Sequence, residues 1–261
     1  VDNPNCASDN LASLKNKYVG ERAFIIGNGP SLKEQELHIL RDEFVFAVNL
    51  ITLHTEFKHF RKCYYCLGDP RFYQHGRLLP EIHDNIAGHT GVTCFFENRA
   101  REAIKREKKM GHNSIFFVEI DPLQRCWEGR FQVDLEKKLC WGYSVVIDQC
   151  LPIAIYLGFN PIYLIGCDCD YGLDRETDDF KNAYFYNPDT ISPEYLASLR
   201  SSRKLPDQFN QSGKIISSYK TVGSYCSANG IEVYNAGVGG KLEVFKRVQF
   251  SSLFMERKTE K

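Results

Sequence analysis

No stretch of this sequence offers the roughly 20 consecutive apolar residues that a helix needs to cross a bilayer. The longest apolar runs, 153–159 and 162–166, stop far short of that. A field of one charge sign is missing too: Lys+Arg and Asp+Glu both number 33, so nothing global draws the chain to nucleic acid. The charged segment 99–109 has no interleaved aromatics and reads as a solvated helix. Matching cysteine pairs at zinc-finger spacing are absent, because Cys63-x-x-Cys66 and Cys167-x-Cys169 stand alone in strand-like segments. The ten cysteines therefore read as reduced, buried thiols of a cytoplasmic protein, with no metal site. No signal-peptide pattern is present, which fits that location. All seven histidines lie at or before His112, so the second half of the chain has no imidazole for acid–base work.

What is present is an ordinary globular composition, 43% hydrophobic and 25% charged, arranged around one stretch, residues 23–32. Ala23-Phe24-Ile25-Ile26 reads as a strand buried on both faces. It breaks on Gly27-Asn28-Gly29, where glycine permits φ > 0 and a close ligand approach, and Pro30-Ser31 opens a helix-compatible run. Strand, glycine loop and helix start in that order predict an anion site made of free backbone N–H groups. The loop has neither the third glycine of a dinucleotide fold nor the Gly-Lys-Ser/Thr of a P-loop. A nucleotide site of a less common type is one reading; an ordinary tight turn is the other.

Further strands are expected at 43–49, 62–67, 91–96, 114–118, 162–166 and 231–235, alternating with helix-like segments. Helices are predicted over 11–18, over 145–157 behind a Ser144 cap with Pro152 kinking it or delaying its start, and over 215–228. The pattern is α/β: a mostly parallel Rossmann-like sheet flanked by helices, with a polar lid segment. The division is an N-terminal extension (1–17), a single nucleotide-binding domain (18–254) with its lid at about 172–212, and a tail (255–261). In such sheets ligands bind beyond the carboxyl ends of the strands. Those ends carry Asn28, Asn49, Asp69, Asp168 with Asp170, and Asn235, amides and acids suited to ribose and sugar hydroxyls.

Several segments in fixed order carry a resemblance: residues 25–32, the Asn49 strand, Asp69-Pro70, 157–168 and 235–245. Together they resemble the Rossmann-like superfamily of the archaeal 6-hydroxymethylpterin pyrophosphokinases, which is related to the bacterial lipooligosaccharide sialyltransferases. The resemblance covers about residues 18 to 254 and is specific for the superfamily rather than for one reaction. It implies that Gly27, Asn28, Gly29, Pro30 and Ser31 hold a nucleotide, with Asn49, Asp69, Gly166 and Asp168 lining the same cleft. The position of Asp69 is an amide in the sialyltransferases, so the carboxylate here alters which base or sugar is read. Tyr171, Tyr184 and Tyr186 are the hydroxyls that would stabilise a leaving phosphate. Related sequences place a general-base histidine where Ala183 stands; Asp170 and His75 are the fallback bases.

The leading expectation is an inverting, metal-independent glycosyltransferase that moves a sugar, for instance a sialic-acid-like sugar from a CMP donor, to a surface-polysaccharide acceptor. It needs no cofactor. Its partners are the nucleotide-sugar donor and the glycan acceptor. The mixed basic and apolar chain after Phe245 leaves peripheral contact with the inner membrane face open, and a homo-oligomer is also left open. The alternatives are an Mg²⁺-dependent pyrophosphokinase acting on a pterin-like alcohol, with Asp69, Asp168 and Asp170 on the ion, and a catalytically inactive nucleotide- or glycan-binding protein.

Overall fold

A computed structural model describes residues 10–76, 78–107, 113–169, 184–187, 190–193, 195–197 and 208–255. The strand Ala23–Ile26 (β1) is fully buried because parallel neighbours flank it on both edges. On one side lie Phe44–Val48 (β2), Lys62–Leu67 (β3), Thr93–Glu97 (β4) and Ser114–Val118 (β5), in that order. On the other lie Ile162–Ile165 (β8), Val233–Asn235 (β9) and the two-residue Lys246–Arg247 (β10). Every pairing in this eight-stranded sheet is parallel. The chain fills one half of the sheet from β1 outward, then returns to the far side of β1. The strand order therefore reverses between β1 and β8, which opens a crevice at their carboxyl ends.

Because side chains alternate across a strand, each strand feeds two cores. Phe24, Ile26, Val45, Ala47, Tyr65 and Phe96 face one layer, which Pro80–Ala87 (α1) and Arg101–Lys105 (α2) cover. Ile25, Phe46, Val48, Cys66 and Phe95 face the other, under Leu151–Tyr156 (α3) and Gln208–Ala228 (α4). On α4 the inward residues Ile215, Tyr219, Val222 and Cys226 follow helical spacing. The nine described cysteines are free and buried in these layers.

Several local expectations are corrected. The run after the glycine loop is two short 3₁₀ turns, Pro30–Glu34 and Leu37–Leu40, and Leu11–Leu14 is another. The helix expected over 145–157 begins as a π turn, Val146–Cys150, before α3, and Pro152 stands second in α3, directly after that turn. The helix α4 starts at Gln208, inside the span assigned to the lid. A second sheet of two parallel strands, Ile120–Arg125 (β6) and Leu139–Trp141 (β7), was not anticipated. β6 reads Ile-Asp-Pro-Leu-Gln-Arg, with neither a continuous apolar run nor alternation to announce it. Near the end of the described chain Phe250 is buried and Phe254 stacks on Phe24 at 5.7 Å, so these two rings close the core. No helix among the described residues is long and apolar enough to cross a membrane.

Candidate active site at the strand ends

The glycine loop is tied to the end of β8, across the point where the strand order reverses. Gly27 N–H donates to Ile165 O at 2.8 Å and Gly29 N–H to Gly166 O at 2.9 Å. Ser31 N–H donates to Asp168 Oδ2 at 3.0 Å, and its hydroxyl donates to Asp168 Oδ1. A Cβ on Gly27 would run into Gly166 O, and one on Gly29 into the Asp168 carboxylate. These two glycines are required for close packing, not for positive φ, since Gly29 sits at φ −66°. Three of the loop's N–H groups are therefore spent inside the protein. The expectation of an open anion nest is corrected: the carboxylate of Asp168, 8% exposed, already occupies the helix start and acts as a brace between β1 and β8.

Next to this brace the ends of β1, β2 and β3 present a row of polar side chains, neighbouring strands lying about 4.8 Å apart. Asn28 donates through Nδ2 to Val48 O at 3.1 Å, while its Oδ1 is buried with no hydrogen-bond partner. Asn49, in the left-handed region at φ 48°, likewise has a buried Oδ1 without a partner, and its carbonyl accepts from Tyr65 OH at 2.9 Å. Among the described residues two carbonyl oxygens in adjacent strand ends thus lack a donor, a cost the fold carries unless a ligand supplies one. At the third strand end Asp69 is held by Arg71, whose Nε lies 2.9 Å from both carboxylate oxygens and whose Nη2 lies 2.5 Å from Oδ2. Burial is the largest single influence and works against the charge on Arg71, but the Asp69 hydrogen bonds, the Asp69 charge and the nearby Tyr195 and Tyr184 together leave its pKa raised.

The described lid residues cross this row. Phe185 N–H donates to Asn28 O at 3.2 Å, and its ring lies 5.6 Å from that of His54, just past β2. Tyr184 and Tyr186 stack at 4.9 Å, and Tyr195 stacks on Phe72 at 5.0 Å. Tyr186 and Tyr195 share a hydrogen bond between their phenols. Burial raises both phenols on balance, keeping them protonated as hydrogen-bond donors.

Sequence reasoning passed over His54, Arg71, Tyr195 and the π turn. His54 is half-buried, and desolvation lowers its pKa despite the opposing charge of Glu56. Its Nδ1 accepts from Glu56 N–H at 3.1 Å, so the neutral ring carries its proton on Nε2 and is a donor rather than a base. The π turn directs Gln149 onto β3, where Nε2 donates to Leu67 O at 3.1 Å and fills the space above Gly68. Its neighbour Asp148 accepts from Gly142 N–H at 2.5 Å; burial, with the Glu97 charge adding to it, raises the Asp148 pKa well above the carboxylate range. Of the sequence-derived site, Gly27, Asn28, Gly29, Pro30, Ser31, Gly166 and Asp168 meet at the β1–β8 junction. Asn49, Asp69, Tyr184 and Tyr186 lie beyond β2 and β3. Asn235 is turned away, its Nδ2 donating to Leu242 O and its Oδ1 accepting from Gly237 N–H. Asp170, Tyr171 and Ala183 lie outside the described residues, as does the side chain of His75.

A family profile described as "6-hydroxymethylpterin diphosphokinase MptE-like" matches residues 2–174, about two thirds of the chain. The protein belongs to this MptE-like family. None of the curated proteins matches its sequence. Among solved structures it is similar to the sialyltransferase CstII from Campylobacter jejuni. The complex of CstII with CMP-3FNeuAc is 16% identical, with 87% of this chain and 86% of that chain covered at a TM-score of 0.52. The complex with cytidine-5'-monophosphate is also 16% identical, covers 88% and 85%, and has a TM-score of 0.44. A substituted CST-II bound to CMP is 18% identical, covers 87% and 86%, and has a TM-score of 0.47. The MptE-like chain thus shares the parallel Rossmann-like sheet of CstII, at identities that speak for fold alone.

Proposed function

We propose that this MptE-like protein is a nucleotide-dependent transferase that moves a sugar from a nucleotide-sugar donor, such as a CMP-activated sialic-acid-like sugar, to a glycan acceptor. The observation that carries the reading is the pair of buried, partnerless carbonyl oxygens on Asn28 and Asn49 at adjacent strand ends. They are preset acceptors for ribose hydroxyls or a base amine, beside the reversal in strand order where α/β sheets bind nucleotides. Tyrosines crossing the row supply donors for a departing phosphate. The CMP-bound CstII structures share the fold and make a cytidine donor the first to test.

The second reading is a Mg²⁺-dependent pyrophosphokinase, favoured by the family's own description. Two of the carboxylates suggested for the ion do not fit it: both oxygens of Asp69 face Arg71, and both of Asp168 accept from Ser31. Among the described residues no group of three metal-ligating side chains comes together. Incubation with CMP-sialic acid in EDTA and, separately, with ATP, Mg²⁺ and a pterin alcohol decides between the two. Release of CMP in EDTA supports glycosyl transfer, and strict Mg²⁺ dependence with ATP overturns it.

A further inference from the structure

We propose that Arg71 is the residue that reads the donor's phosphate, a role that rests on the nucleotide-dependent transfer proposed above. The loop that sequence alone would assign to the phosphate has committed Gly27, Gly29 and Ser31 N–H groups to Ile165, Gly166 and Asp168. A phosphate beside Asn28 and Asn49 must then be met by side chains, and a charged oxyanion leaving water requires a cation or several donors. Arg71 stands one strand further along the same row. Asp69 grips the Nε–Nη2 edge of its guanidinium and also accepts from its backbone N–H at 3.0 Å, fixing the plane of the group. Tyr184 and Tyr195 lie close enough to Arg71 to interact with its charge. A fork-shaped cation pre-oriented by a carboxylate, with phenol donors around it, suits the tetrahedral oxygens of a phosphate. The side chain is 30% exposed, shielded yet reachable from solvent.

Calorimetric titration of the full chain with CMP, cytidine and free N-acetylneuraminate tests this. Wild type should bind CMP about tenfold or more tighter than cytidine, the worth of one charge-assisted contact. Arg71→Met should bring the two affinities together while leaving cytidine within about twofold. Arg71→Lys, which keeps the charge and loses the fork, should fall between them. Asp69→Asn/Arg71→Met removes the carboxylate that the single variant strands, so it gives the same readout if that variant folds poorly. A CMP preference that survives both Met variants overturns the proposal. So does a loss confined to N-acetylneuraminate, which would assign Arg71 to the sugar's carboxylate. Failure of wild type to bind either CMP or cytidine overturns instead the donor reading beneath it.

Discussion

Gly29 shows how a residue can be singled out correctly for the wrong reason. A glycine between a buried strand and a helix start reads as backbone freedom and an open anion site. In the fold its φ is ordinary, and what matters is the Asp168 carboxylate packed where a Cβ would stand. Gly29→Ala should therefore push Asp168 off Ser31, combining overpacking with a lost buried hydrogen-bond pair. The expected cost is about 2–4 kcal/mol, read as a lower urea midpoint with an unchanged slope. A near-neutral Gly29→Ala would mean the brace is dispensable. Arg71 is the converse case. Its signal was present as Asp69-Pro70-Arg71, an acid and a base two residues apart at a strand end. Only the tertiary placement of Tyr184 and Tyr195 separates such a pair from an ordinary surface ion pair.

At the scale of elements, the central strands, the helix before β9 and the helical run before β8 were readable, and the short turns between β1 and β3 were not. Each of β1 to β5 and β8 is a continuous apolar run because parallel strands are covered on both faces, a pattern few loops imitate. Between β1 and β3 the connections are pairs of 3₁₀ turns of three to five residues each, too short to show a 3.6-residue period. The π turn is invisible for a related reason: one extra residue per turn leaves composition unchanged and only re-aims Asp148 and Gln149. That aim has a measurable consequence. With its folded pKa raised, buried Asp148 contributes most to stability below its unfolded value near 4 and progressively less as pH rises toward the folded value. Asp148→Asn keeps an acceptor for Gly142 and cannot ionise. Its melting temperature relative to wild type should therefore rise between pH 5 and pH 8. His54 and His89, both lowered by burial, run the opposite way: their contribution is full above pH ~6.5 and fades on acidification. A constant gap between wild type and Asp148→Asn across that range would show that this carboxyl does not titrate differently in the folded state.

Across the whole molecule, the recognition proposed here and the cohesion of the fold belong to opposite rims of the sheet. Asn28, Asn49, Asp69 and Arg71 follow the carboxyl ends of β1 to β3. At the other rim Arg22, one residue before β1, forks onto Glu43 before β2, with contacts of 3.1 and 2.9 Å. The same guanidinium donates to Leu253 O at 2.9 Å and lies over the rings of Phe24 and Phe254, so one side chain fastens the final turn to the first strand. Glu43 is 7% exposed on its side chain and Arg22 17%, so removing the cation takes the fork of hydrogen bonds from a largely buried carboxylate. Losing one partner of a fully buried pair costs about 3–5 kcal/mol; with Arg22 partly wetted, about 2–3 kcal/mol is expected for Arg22→Met. Arg22→Met/Glu43→Leu should recover part of that loss, because the buried carboxylate that lost its cation is gone. Distance between the rims then makes a sharper demand. Arg22→Met should lower the melting temperature while leaving CMP affinity in the folded protein unchanged, whereas Arg71→Met should weaken CMP with a smaller thermal cost. If instead the two variants lose affinity and stability in the same proportion, the cleft is coupled to global folding. The strand-end row would then not be an independent recognition surface carried on a rigid sheet.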